Sequence, residues 1–425
     1  MQRPNTATLS GFMDLTPEYQ AAFDKIKQTI ANVHSAYGFS SIDTPLIYRK
    51  EILLAKAGGD TEKQIYEMTR GETDLALRFD QTVPLAVYVA NKQSELAFPF
   101  KVSQIGKVYR GERSQKGRFR EFYQCDADVI GRGELPIAYD AEVIAILNDI
   151  FTELDLGKFT IRIANRKLLL GFLESLDLTD GQRVATTSAI DHAEKISGDE
   201  FKEMLREIGL DEERILRVFE FIELDGTNAD ILRNLTVMNI TNDDFKQGLR
   251  ELREVTDLLA AYDNVKIDLM IVRGLDYYTG TVFETILDKH PEIGSVGSGG
   301  RYDNLCDNYT SEKFQGVGGS VGLSRLFYVL TEIGLVKPSV KTSAEILVIP
   351  FGESQIGAAN LLANKLRGEG KRVMVLYDGW KIGKKMEFAN KIAVPFVAVI
   401  GENEVTSGRY GLKNMVTGEE VQEVL

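Results

Sequence analysis

Cysteine and histidine are scarce in this 425-residue chain, and their scarcity removes whole classes of chemistry. The two cysteines, Cys125 and Cys306, offer neither a metal-binding spacing nor a disulfide framework. A reducing compartment is the simplest reading, with Cys125 a small packing residue rather than a nucleophile. The three histidines, His34, His192 and His290, fall outside every motif described below. That disfavours a Ser-His-Asp or Cys-His mechanism and a histidine-ligated metal. No run approaches the ~18 apolar residues of a membrane span. The first eight residues have neither an apolar signal core nor an Arg-rich transit pattern. The expectation is a cytoplasmic protein with no membrane partner. Ten prolines and no low-complexity tract argue against long disorder.

What is present is 44% hydrophobic residues, enough for a sizeable core, over a length that suggests about two or three domains. The net charge of −13 argues against a general nucleic-acid coat. The charge is uneven, however. Residues 101–120 hold seven basic side chains (Lys101, Lys107, Arg110, Arg113, Lys116, Arg118, Arg120) against one acid, Glu112. This local excess suggests an anionic ligand, with a solvated basic loop as the plain alternative.

Hydrophobic periodicity predicts a helix near 17–37, with Tyr19, Phe23, Ile26, Ile30 and Val33 on one face and Gly38 ending it. Strands are expected at 39–48, where Pro45 implies an edge or interface, and at 75–78, 100–109 and 120–130. A helix follows over about 138–154. Residues 165–255 carry helical periodicity and mixed charge and read as a helical insertion. Strands return near 265–272, 277–287 and 317–321. This order of strands, helices and strands predicts an α+β fold with an antiparallel sheet flanked by helices. Residues 336–343 form a polar linker, after which strand–helix alternation over 344–425 marks a small α/β domain. That domain holds ten basic and ten acidic residues, so the net charge lies upstream.

Five stretches carry candidate chemistry. In Arg110–Asp128 two strands flank a basic turn at Gly117, so Arg110 and its neighbours can grip phosphate oxygens and Phe122 can stack on a base. Gln124 and Asp128 differ by an even number and share a strand face. A pocket with a phosphate end and an acidic end results; a salt-bridged hairpin is the plainer reading. Leu77–Pro84 places Asp80 and Thr82 two apart on a strand face, a carboxylate and a hydroxyl suited to an ammonium group, although an ordinary strand end explains them as well. The glycine-rich runs 294–303 and 316–325 permit close backbone approach to a ligand. Arg325 lies near a helix start, where phosphate is favoured. Their spacing is wrong for a dinucleotide fingerprint. Finally, Arg273-Gly-Leu-Asp-Tyr-Tyr-Thr-Gly-Thr-Val-Phe-Glu284 combines an arginine, adjacent tyrosines and two acids, a set suited to a small polar molecule that also carries negative charge.

Together these stretches resemble histidyl-tRNA synthetases, which are class II aminoacyl-tRNA synthetases, over nearly the whole chain. Pro45 sits where that family's first motif has its proline. Arg110–Asp128 resembles the second motif and Gly316–Leu330 the third, with Ser324 where an acid is common. Arg273-Gly-Leu-Asp-Tyr-Tyr278, Gly299-Gly-Arg-Tyr-Asp303 and Gln124-Cys-Asp-Ala-Asp128 are the histidine-specific elements. The resemblance implies a catalytic domain in two parts (1–164 and 256–335), an insertion (165–255) facing the tRNA acceptor stem, and an anticodon-binding domain (344–425) whose last helix is short or missing. It implies activation of L-histidine by ATP with Mg²⁺, transfer to tRNA(His), a homodimer, and no tightly bound organic cofactor. Asp80 and Thr82 would hold the substrate amino group, and Gln81 would also bind the histidine. Gln124, Asp128, Tyr277 and Tyr278 would surround the imidazole, and Tyr302 would cover the histidine. Arg273 and Arg110 would be catalytic, and ATP would meet Arg110, Glu112, Arg118, Phe122 and Arg325. No protein-derived metal motif is expected. The alternative is an inactive, histidine-binding regulatory paralogue of the ATP phosphoribosyltransferase type.

Overall fold

The computed structural model describes residues 3–55, 62–112, 117–272, 278–336 and 341–424. Two compact units emerge, Met1–Met13 with Ile26–Ile333, and Asp14–Lys25 with Gly334–Leu425.

The chain opens with helix α1 (Pro17–Ala36) and two short strands, β1 (Ser40–Ser41) and β2 (Ile47–Arg49), separated by Pro45. Helix α2 (Lys50–Leu54), strands β3 (Glu67–Arg70) and β4 (Thr73–Leu77) and helix α3 (Thr82–Lys92) follow. Two long strands, β5 (Phe100–Tyr109) and β6 (Glu121–Arg132), then lead into α4 (Ala138–Glu153) and β7 (Phe159–Asn165). Six helices succeed one another: α5 (Arg166–Glu174), α6 (Asp180–Ala193), α7 (Gly198–Glu207), α8 (Glu212–Ile222), α9 (Asn228–Val237) and α10 (Asp243–Leu258). The first unit closes with β8 (Val265–Ile267), β9 (Thr281–Leu287), β10 (Gly297–Tyr302), β11 (Phe314–Val321) and α11 (Leu323–Glu332).

Among the described residues the main sheet has eight strands in the order β1-β5-β6-β11-β10-β9-β7-β8. Its inner pairs are antiparallel, and only the outermost pairs, β1 with β5 and β7 with β8, are parallel. The antiparallel α+β expectation holds. The piece around Pro45 is two strands rather than one: β1 edges the main sheet and β2 edges a three-stranded sheet, where a missing N–H donor costs least.

The six successive helices owe their boundaries to side-chain caps. Asn165, Thr179, Ser197, Asp211, Thr227 and Asn242 each accept from backbone N–H groups of the following turn, and three of these form reciprocal capping boxes. Each cap is worth about 0.5–2 kcal/mol, which matters for helices this short.

Several expectations need correcting. Asp80 and Thr82 do not share a strand. Strand β4 stops at Leu77 and Thr82 opens α3, where the Val83 N–H donates to Asp80 Oδ1. The glycine-rich run 294–303 contains a central strand, Gly297–Tyr302. The strand expected at 277–287 begins only at Thr281.

In the second unit β12 (Ile346–Pro350), α12 (Ile356–Gly368), β13 (Val373–Val375), α13 (Ile382–Lys391), β14 (Phe396–Ile400) and α14 (Glu402–Ser407) alternate. Apolar side chains cover both faces of the sheet, which is why its parallel strands read as unbroken hydrophobic runs. The tail, where the last helix is expected to be short or missing, holds antiparallel strands β15 (Arg409–Asn414) and β16 (Glu420–Val424).

Candidate active site

Strand pairing assembles the site. Phe122, Gln124, Asp126 and Asp128 recur every second residue along β6 and therefore point to one face. On β5 they lie opposite Val108, Gly106, Gln104 and Val102. On β11, Asp126 faces Ser320 and Asp128 faces Gly318. All four line a cavity of about 520 Å³. Asp80 and Thr82 reach it from the start of α3, Tyr278 and Tyr302 from beside and on β10, and Arg325 from the first turn of α11. Arg110, Glu112 and Arg118 border it from the loop between β5 and β6.

The glycines serve this crowding more than backbone approach to a ligand. A Cβ on Gly318 would lie 1.9 Å from Asp128 Oδ1, and one on Gly316 would lie 2.2 Å from the Tyr302 ring. Gly300 would meet Tyr278 at 2.9 Å. Bare strands leave room for the acids and phenols that their neighbours supply.

One end of the cavity is acidic. Asp80, Asp126 and Asp128 are all buried. Burial pushes the Asp80 carboxyl up to about 7 and Asp126 up to about 6. Asp128 is raised well above the usual carboxylate range, by burial first and then by the neighbouring Asp126 charge. Tyr302 donates to Asp128 Oδ1 at 2.7 Å. Asp80 Oδ2, Asp128 Oδ2 and Gln124 Oε1 are buried and have no hydrogen-bond partner among the described residues. Three unused acceptors in one wall constitute a demand for N–H donors, because burying such atoms unpaired costs about 1–3 kcal/mol each.

The rest is cationic. The Arg110 guanidinium lies 5.2 Å from the Phe122 ring centre and donates to the Phe79 carbonyl at 3.0 Å. That stacking occupies a face of the ring expected to receive a base. Arg118 pairs with Glu112 at 3.5 Å. Arg325 donates to the Ile293 carbonyl, and burial together with the nearby Arg118 charge lowers its pKa. Ser324, at a position read as unusual, accepts from the Tyr123 N–H at 2.9 Å and joins α11 to β6.

Gln81 does not line the cavity. It is buried on the same face of the sheet as Gln124, and its amide donates to the carbonyls of Gln104 and Gln124, tying β5 to β6. Arg273 and Tyr277, with Arg113 and Lys116, lie outside the described residues. Asp126, Ser320 and Gln64 also line the cavity and were not singled out from the sequence. The parity that joined Gln124 to Asp128 could have found Asp126. No sequence signal marked Gln64.

A family model described as Histidyl-tRNA synthetase matches residues 11–326. The chain belongs to the histidyl-tRNA synthetase family. A second model, Anticodon binding domain, matches residues 345–424. The histidine–tRNA ligase of Clostridium tetani is 49% identical over 418 residues, which cover 97% of this chain and 94% of the relative. That of Finegoldia magna is 43% identical over 423 residues, covering 99% and 97%. The crystal structure of histidyl-tRNA synthetase from Nostoc sp. PCC 7120 superposes with a TM-score of 0.91 at 36% identity, covering 99% of this chain and 97% of that one. The architecture is therefore that of the histidyl-tRNA synthetase family within class II. A Bacillus halodurans C protein titled ATP phosphoribosyltransferase regulatory subunit/histidyl-tRNA synthetase shares the fold (TM-score 0.77) at 24% identity, with 94% of this chain and 100% of that chain covered.

Proposed function

We propose that this member of the family activates L-histidine with ATP and passes the aminoacyl group to tRNA(His). One observation carries the reading: a cavity wall with three buried, unpartnered acceptors adjoins arginines 110, 118 and 325. A histidine offers N–H donors on its ammonium and its ring, and its carboxylate must lie against a triphosphate. In the first step a carboxylate oxygen bonds to the α-phosphorus, and the bond to the β-phosphate oxygen breaks to release diphosphate. In the second, a terminal ribose hydroxyl of the tRNA attacks the carbonyl and AMP leaves. The work is positioning and charge stabilisation.

In this reading Asp80 and Thr82 hold the ammonium group, while Gln124, Asp128, Tyr278 and Tyr277 surround the imidazole. Tyr302 acts chiefly through Asp128, and Gln81 through the strands that carry Gln124. Arg273 bridges the carboxylate and α-phosphate. Arg110 and Arg325 neutralise phosphate charge, with Glu112 and Arg118 at the mouth and Phe122 beside the base. Mg²⁺ enters with the triphosphate; among the described residues no cluster of three His, Cys, Asp or Glu side chains forms a metal site. Residues 165–255 face the acceptor stem, and 344–425 read the anticodon. A cytosolic homodimer completes the proposal. Among the described residues no helix is long and apolar enough to cross a membrane.

The deciding experiment is ATP–pyrophosphate exchange with each of the twenty amino acids. Exchange with histidine alone is the expected outcome. Histidine binding without exchange would favour the regulatory alternative, and exchange indifferent to histidine would end the proposal.

A further inference from the structure

The amide of Gln124 can sit in the cavity wall in two orientations half a turn apart, and only one offers the substrate an oxygen. Its Nε2 donates to Ser320 Oγ at 3.2 Å. Ser320 in turn donates its proton to Asp126 Oδ1. Gln124 Oε1 is left buried without a partner among the described residues. A hydroxyl has one proton to give, and an ionised carboxylate only accepts. As long as Asp126 is charged, the Ser320 proton is committed to it, and toward Gln124 the hydroxyl can only accept. The amide nitrogen is thereby drawn to Ser320 and the oxygen is turned away.

We propose that Asp126 and Ser320 are positioning residues for substrate recognition, which lock the Gln124 amide so that it acts as an obligate acceptor for an N–H of the amino acid. The three residues are held in register by the sheet, since Ser320 lies directly across from Asp126 on β11 and Gln124 is two residues along the same face of β6. Above a pH of about 6 the Asp126 carboxyl is mainly in its charged form. Burial raises its pKa to about 6, while hydrogen bonds from Ser320 and Gln81 and the charges of Arg78 and Arg110 pull it down. The Asp126 charge in turn raises the pKa of Asp128, on the same face, and that of Asp80. With a neutral amide at position 126, Asn could donate to Ser320. The hydroxyl proton would then be free to bond Gln124 Oε1, and the Gln124 NH₂ group would face the substrate's own N–H.

This inference rests on the histidine-activation reading, and its test separates the two. Histidine-dependent pyrophosphate exchange is measured well above the Asp126 pKa for the wild type, Asp126→Asn, Ser320→Ala, Gln124→Ala and the Asp126→Asn/Gln124→Ala double variant. Asp126→Asn and Ser320→Ala should each raise the histidine KM about tenfold, the worth of one oriented hydrogen bond, with the ATP KM unchanged. In the Gln124→Ala background Asp126→Asn should add nothing, because the relay acts only through that amide. Full additivity in the double variant, equal rises in both KM values, or an unchanged histidine KM in both single variants would overturn the proposal. Absence of exchange in the wild type would instead overturn the parent reading, and this inference with it.

Discussion

Arg301 and Tyr302 are consecutive residues on β10, so they face opposite ways and touch two different buried carboxylates. Arg301 closes on Asp140 of α4 with contacts of 2.8–3.2 Å and donates to the Pro136 carbonyl at 3.2 Å. Tyr302 donates to one oxygen of Asp128, and the other oxygen has no partner among the described residues. Both acids are almost fully buried (0% and 2% exposed), so burial does not separate them. What separates them is whether the acceptors are used. Asp140 is finished by its own chain and ties β10 to α4. Asp128 is left incomplete, and the chemistry that completes it must come from outside. A saturated buried acid is architecture; an unsaturated one in a cavity wall is a binding group.

The sharpest way to break this comparison is to remove a partner on each side. Asp140→Asn leaves the buried Arg301 without its nearest carboxylate, with Asp303 3.8 Å away, and should cost about 3–5 kcal/mol in urea unfolding, while the protein that remains folded keeps its histidine KM. Next in size is Arg273→Lys, which keeps a charge but loses the planar fork. The exchange rate should fall by about 10²-fold or more, and near-wild-type exchange would remove Arg273 from its role. Asp128→Asn should weaken histidine binding by about 10- to 100-fold, the cost of hydrogen bonds to a charged group, with melting temperature unchanged or higher. A fall in stability like that of Asp140→Asn would erase the distinction.

A smaller effect concerns pH. Asp80, Asp126 and Asp128 hold protons more tightly in the folded chain than in the unfolded one. Their contribution to stability is therefore fully present below the unfolded carboxylate pKa of about 4 and is lost as pH rises through about 6 and 7, the values for Asp126 and Asp80. The melting temperature of the free protein should decline across that window. Saturating histidine, which supplies N–H donors and a positive charge, should flatten the decline; an identical slope with and without histidine would contradict the proposed contacts. Smallest of all should be the effect of deleting 344–425 on exchange, since every residue in the comparison lies in the first unit. Aminoacylation should fall much further than activation does.

Local patterning made much of this legible. The strand pair β5–β6 and the helix α4 were readable because alternation and helical spacing are short-range signals, and strands buried on both faces in the second unit show as apolar runs. The even spacing of Gln124 and Asp128 put them on one face before any tertiary contact was known. The same parity includes Asp126, but nothing in the linear chain says that its oxygen meets Ser320, 194 residues away. Glycine-rich β10 was harder still, because glycine has little intrinsic preference for strands. Its place is decided by Phe283, Tyr278 and the β11 backbone, which leave no volume for a side chain.

By itself, then, the sequence determined the α+β class, the polarity of the site and the family, since residue type and spacing survive without coordinates. Which buried acid is satisfied and which is open was decided only by the tertiary structure. Asp140 and Asp128 are the same residue type, and a hydrogen bond is a matter of ångströms between atoms far apart in the chain.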